Sequence, residues 1–292
     1  MVVITQQEAA ERISPAFGGR TGKLLFRLAA GITGIAKVNA LHDRVDTAGV
    51  PYGPPFAKGL LDDAGVDFRI GNPERLDSLP EGSFIVIANH VYGHLDGICL
   101  LDLVGHQRPD TKVMVNEMLA LIPGLAPSFI AVNPVTNASK KVSDTSINGV
   151  KSALLQIRQG APLCLFPSGA VADLKPREHW TLRERDWQDA AIRLIRKAHV
   201  PIIPVRFFDR NSRFYYALGL IDYRVRFVRL FHEMFNKRGT RPRVGIGVPI
   251  SVEEQDQYSD LQAFKAFLRS SVYDMPLPET FVYRSELWKS SK

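Results

Sequence analysis

Apolar residues recur along the chain with two different periods, and the switches between them predict its elements. From residue 84 onward, short continuous apolar runs stand between stretches of helical spacing. The runs at 84–88 (FIVIA), 112–115 (KVMV), 129–132 (FIAV), 163–166 (LCLF), 202–208 (IIPVRFF) and 243–248 (RVGIGV) read as strands. Between them, Trp187, Ala190, Ala191, Leu194, Ile195 and Ala198 repeat at helical spacing with Arg193, Arg196 and Lys197 opposite, which predicts a helix. A second helix is predicted over 146–159, stopped by Gly160, and a third over 260–273, packing Leu261, Phe264 and Leu268. Nearer the N-terminus, residues 23–41 place Leu24, Leu25, Leu28, Ile32, Ile35 and Ala36 on one helical face and Lys23, Arg27 and Lys37 on the other, although Phe26 and Leu41 fall on the basic side. Such a helix suits either a membrane interface or the protein's own core. The turn-rich PYGPP at 51–55 then leads into a short helix stopped by Gly65. Strands alternating with helices predict a layered α/β domain over 76–292, behind an N-terminal helical, membrane-associating region over 1–75.

Composition changes this picture in three places. With 292 residues and 45% apolar content, the chain has enough material for a sizeable core. Its two cysteines, Cys99 and Cys164, lie inside apolar runs, which implies no disulfide scaffold and fits a reducing, cytosolic location. Gln6, Gln7, Glu8 and Glu11 stand where a secretory leader needs basic and then apolar residues. The longest weakly polar stretch, 118–132, is broken by Pro123 and Pro127 and falls short of the ~20 residues of a spanning helix, so none is predicted.

Charge is the third. The segment 206–243 holds ten basic residues against three acidic ones, an excess equal to the whole net charge of +7. Aromatics interleave with these cations, a mixture that suits an anionic bilayer surface, single-stranded nucleic acid, or a solvated face over ordinary core rings. Composition leaves the three open. Trp180 and Trp187, flanking another charged stretch, read as core residues rather than as the lining of an acyl channel.

Candidate chemistry sits where the apolar strand 84–88 runs into Asn89, His90 and, further on, His94 and Asp96. Active sites of α/β folds favour the C-terminal ends of strands. A carboxylate close to a histidine fixes the imidazole tautomer and stabilises its protonated form, leaving the other ring nitrogen able to take a proton from a hydroxyl. Other chemistries are poorer fits. His94 and Asp96 match the His-x-Asp of a facial iron triad completed by His179, His199 or His232, but the folds that usually carry it are all-β. His90 and His94 have zinc-helix spacing without the accompanying glutamate, and no Gly-x-Ser-x-Gly elbow exists for a serine hydrolase. No metal site and no cofactor are predicted.

Four blocks then follow in order: ANHVYGHLD, SFIAVNP, LFPSGAVADL and VPIIPVRF. Together they resemble the glycerolipid acyltransferase superfamily, which includes the lysophosphatidic acid acyltransferases, over roughly residues 80–250. The resemblance is closest to its bacterial hemolysin-like branch with the lyso-aminolipid O-acyltransferases. Five residues rather than the usual four separate His90 from Asp96, and the segments RNSRFYYALG and NKRGTRPRVGIGVPIS look like that branch's C-terminal portion.

The resemblance implies a glycerol-3-phosphate acyltransferase-like fold, a central mixed sheet flanked by helices with N-terminal amphipathic helices. It implies His90 as general base and Asp96 as its orienting partner, with Asn89, Asn133, Phe166, Pro167, Ser168 and Gly169 near the substrates. The acyl group comes from acyl carrier protein or coenzyme A as a thioester, and it passes directly to a lyso-lipid hydroxyl. The implied setting is an anionic membrane surface on the cytosolic side of a bacterial inner membrane, with no nucleic acid involved. In this sequence Asn133 stands about where phosphate-binding relatives carry a cation, while Ser168 and Ala170 replace a common glutamate and threonine. Loss of that cation favours a lyso-aminolipid over lysophosphatidate as acceptor.

Overall fold

All six predicted strands form in the computed structural model, which describes residues 34–117, 119–132, 144–221 and 223–287. The strands are β1 (Arg69–Gly71), β2 (Ile85–Ala88), β3 (Lys112–Asn116), β4 (Phe129–Val132), β5 (Leu163–Leu165), β6 (Asp173–Lys175), β7 (Thr181–Arg183), β8 (Ile202–Phe207), β9 (Arg243–Ile246) and β10 (Phe281–Tyr283). Eight of them make one mixed sheet in the order β10-β1-β9-β8-β2-β5-β3-β4, while β6 and β7 form a separate antiparallel hairpin. Strands β2, β3, β4, β5 and β8 run parallel, with Ile85 in register with Ile202 on one side and Leu163 on the other. β9 turns antiparallel to β8, and β1 follows β9.

Helices cover both faces, and this explains why β2 is a continuous apolar run. The helices are α1 (Ile35–Thr47), α2 (Pro54–Ala64), α3 (His94–Gln107), α4 (Asp144–Arg158), α5 (Asp189–Ala198), α6 (Arg213–Ile221), α7 (Tyr223–Phe235), α8 (Val252–Asp256), α9 (Leu261–Tyr273) and α10 (Arg284–Leu287). Every side chain of β2 is buried: Val86 and Ala88 enter the core shared with α1, α2, α3 and α7, and Ile85 and Ile87 the core shared with α4, α5 and α9.

Of the N-terminal helix predicted over 23–41, residues 23–33 lie outside the described residues, and α1 begins at Ile35 with Gly34 as its N-cap. The described part continues to Thr47 and buries Ile35, Leu41, His42 and Val45, so it docks on the core. Ala36 is exposed and Leu41 buried, the reverse of the expected sides, because the inward face is set by contact with α2 and lies about a third of a turn from the apolar stripe. Trp187 stands just before α5, whose N-cap is Gln188, and it is buried all the same. Helix α3 escapes periodicity because it is apolar nearly all round. Strands β1 and β10 are three residues each, as is β5, but neither is the fully buried apolar run that marks β5 in the sequence.

One buried ion cluster fastens the C-terminal turn to α3. Arg284, the first residue of α10, is almost wholly buried and donates to the buried Asp102 of α3 at 3.1 Å and to Asp62 of α2, with Asp67 at 4.0 Å. Removing one member of a buried pair leaves an uncompensated charge, a larger loss than the net worth of the pair. Arg284→Met should therefore lower unfolding stability by about 3–5 kcal/mol, read from the denaturant midpoint.

Candidate active site

Strand β2 delivers its last residue into a loop whose groups are all held from several sides. The Asn89 side chain donates to the Phe207 carbonyl at 2.9 Å and accepts the Phe207 N–H at 2.7 Å, extending the β2–β8 pairing by one residue. Next comes His90. Its carbonyl accepts the Ala172 N–H at 2.7 Å and its N–H donates to Glu184 Oε1, so the backbone is fixed on both faces.

The His90 ring is held just as firmly. Nδ1 lies 2.8 Å from Asp96 Oδ2, and Phe166 stacks on the imidazole with ring centroids 4.3 Å apart at 25°. Asp96 is completely buried in the first turn of α3, where the helix N-terminus favours negative charge. The same Oδ2 accepts the N–H groups of Tyr92 at 2.9 Å and Gly93 at 3.0 Å, so the 90–96 loop wraps its own carboxylate. Burial pushes this carboxyl up from the ordinary range, while the imidazole and the two amides pull it back.

That arrangement assigns the protons. An ionised carboxylate only accepts, so the shared proton sits on Nδ1 and Nε2 keeps its lone pair. The His90 side chain is 17% exposed, so the ring is not sealed from the surface. Gly93 makes the turn possible: its φ is 79°, and a Cβ there would lie 2.4 Å from Leu230 of α7.

The Phe-Pro-Ser-Gly block builds the floor. Gly169, at φ 62°, closes a tight turn by donating to the Phe166 carbonyl at 3.0 Å, and this turn sets Phe166 under His90. The Pro167 carbonyl accepts the Gln188 N–H at 2.9 Å, and the buried Ser168 donates to the Ala170 carbonyl at 3.0 Å. Thus Asn89, His90, Asp96, Phe166, Pro167, Ser168 and Gly169 come together around one loop. Asn133 lies outside the described residues.

Sequence patterns missed Glu184. It sits in the charged stretch after β7, where a solvated carboxylate is expected, yet it is buried against the His90 backbone with the Ser168 and Tyr273 hydroxyls facing it, and burial raises its pKa. His94, a turn beyond His90, is buried against Phe231 with ring centroids 5.2 Å apart. Among the described residues neither of its ring nitrogens has a partner, and no three His, Cys, Asp or Glu side chains gather to hold a metal ion.

Burial and the neighbouring His90 lower the His94 pKa from 6.5 to about 4. Between those values the unfolded chain binds a proton that the folded chain refuses, so acidification destabilises the fold. This contribution comes to about 2 kcal/mol at about pH 5, and His94→Phe should remove it. The measurement is the difference in denaturant midpoint between about pH 7 and about pH 5, which should narrow in the variant.

The chain is similar to proteins already known. Over 238 residues the chain is 28% identical to a lyso-glycine lipid O-acyltransferase of Bacteroides thetaiotaomicron, covering 75% of this chain and 84% of that relative. It is 26% identical to another protein of that name from Phocaeicola vulgatus, covering 75% and 81%. The family described as "Acyltransferase" matches residues 54–276, a span that contains β2, the His90 loop, the Phe-Pro-Ser-Gly turn and the buried Glu184, and this chain belongs to it.

Proposed function

We propose that this protein transfers a fatty-acyl group from a thioester to the hydroxyl of a lyso-aminolipid, with His90 as general base. The observation that carries this reading is the 2.8 Å contact between His90 Nδ1 and the buried Asp96, which leaves Nε2 as the accessible base. Nε2 takes the proton of the acceptor hydroxyl as its oxygen attacks the thioester carbonyl. The tetrahedral intermediate collapses by expelling the thiolate, which receives the proton from the imidazolium. The products are an ester and a free thiol, with no acyl-enzyme. Asp96 holds the tautomer and offsets the charge that His90 gains.

Two observations support an amino-acid headgroup. Both relatives are named for a lyso-glycine lipid. Asn133, neutral, stands where a phosphate-binding cation is expected. The donor is a thioester of acyl carrier protein or coenzyme A, both anionic, and the basic segment 206–243 supplies complementary charge. Among the described residues no helix is long and apolar enough to cross a membrane. The protein works peripherally, at the anionic cytosolic face of a bacterial inner membrane.

The test is to offer purified protein a panel of lyso-lipids with both donors and follow products by mass spectrometry. Lyso-aminolipids should be acylated, and His90→Ala should lower turnover about 10²–10⁴-fold. Acylation of lysophosphatidate alone would reverse the acceptor assignment, and acylation of nothing by folded protein would end the proposal.

Glu184 is a positioning residue in this scheme. Glu184→Ala should lower kcat about tenfold to a hundredfold with KM little changed, because the base drifts from its attack geometry. Glu184→Gln keeps an oxygen for the His90 N–H and should restore most of the loss in the same assay.

A further inference from the structure

The basic, aromatic segment contains a helix that is apolar on the wrong side. Tyr215 and Tyr216 of α6 are buried with Leu230, against Val171, Leu174 and Leu182. The opposite face carries Phe214, Ala217 and Leu220, with Phe214 52% and Leu220 47% exposed. Core packing accounts for the tyrosines and leaves this second face unexplained. The β6–β7 hairpin adds to it, because β6 packs on α6 and the hairpin's turn carries Trp180, 64% exposed at φ 59°. The expectation that Trp180 is a core residue is thus overturned, since it is exposed in the turn between β6 and β7.

Arginines border these rings. Arg210 and Arg213 are exposed, and the Arg229 guanidinium lies 5.2 Å from the Phe214 ring centre. A large amphipathic ring at a turn, an outward apolar helix face and a rim of positive charge match a bilayer interface with anionic headgroups. The location fits too. The hairpin starts at Asp173, and the N–H of the preceding Ala172 holds the His90 carbonyl, so the base of the hairpin adjoins the loop that presents His90.

We infer that the outward face of α6 and the Trp180 turn together dock this protein on an anionic bilayer surface. The inference rests on the proposed function only for its purpose: docking there sets His90 at headgroup level, where a lyso-lipid hydroxyl enters without leaving the membrane.

The experiment is co-sedimentation of the full chain with vesicles of phosphatidylethanolamine and phosphatidylglycerol, and with vesicles of phosphatidylcholine alone. Native protein should prefer the anionic set. The double variant Phe214→Asp, Leu220→Asp should bind it about tenfold or more weakly, with an unchanged circular dichroism spectrum and unchanged turnover of a short-chain acceptor dissolved as monomers. Trp180 emission should be quenched by lipids brominated in their acyl chains, and Trp180→Phe should abolish that quenching while still binding. Undiminished vesicle affinity in the double variant, or native Trp180 that escapes quenching, overturns the inference. So does a parallel loss of turnover on the dissolved acceptor, which would make the face an acyl groove, or native self-association that the variant abolishes. Sedimentation reads no chemistry, so failure of every acylation assay would sink the proposed function and leave this surface standing.

Discussion

The Asp96 carboxylate is shut away from the protein surface, and the structure around the site follows from that constraint. Completely buried, it draws its compensation from the His90 imidazole, two loop amides and the N-terminus of α3. Satisfying one oxygen three times forces the 90–96 loop into a tight wrap. That wrap in turn requires Gly93 at positive φ and lets α7 approach closely enough for Leu230 to fill the space. The imidazole is therefore a fixed part of a helix cap. An imidazole held in this way has little orientational freedom left to lose when a ligand arrives.

The rest of the fold steadies that cap from outside. Asn89 splices the loop to β8, Glu184 and Ala172 pin the His90 backbone, and Phe166 supports its ring. At the other end of the chain, Arg284 reaches into α3 through Asp102, two turns along the helix from Asp96. Helix α3 thus has a buried charge near its start and another near its middle, each neutralised by a different part of the molecule. Its apolar remainder is what makes it rigid, and it is also why the sequence shows no amphipathic stripe there.

Two tryptophans illustrate how far composition reaches. Trp187 and Trp180 flank the same charged stretch and read alike in the sequence. One is buried beside α5, while the other stands exposed at a hairpin turn next to an apolar helix face. What separates them is the β6–β7 pairing, three residues on each side, which leaves Trp180 in the exposed turn between the two strands.

The layered α/β class, six of the strands and the strand-to-loop junction that carries His90 and Asp96 are legible in the order of residues alone. Those features are local: a strand flanked by parallel neighbours and covered on both faces must be apolar throughout, and an abrupt change to polar residues marks its end. The partner of His90 was equally close at hand, since Asp96 follows it by six residues. Tertiary structure alone decided that Glu184, 94 residues away, is a buried support, that Arg284 closes on α3, that α1 turns a different face inward, and that α6 shows an apolar face to the outside. Periodicity reports the face that an element hides, whereas these assignments depend on which distant element hides it, and that is settled only when the chain closes on itself.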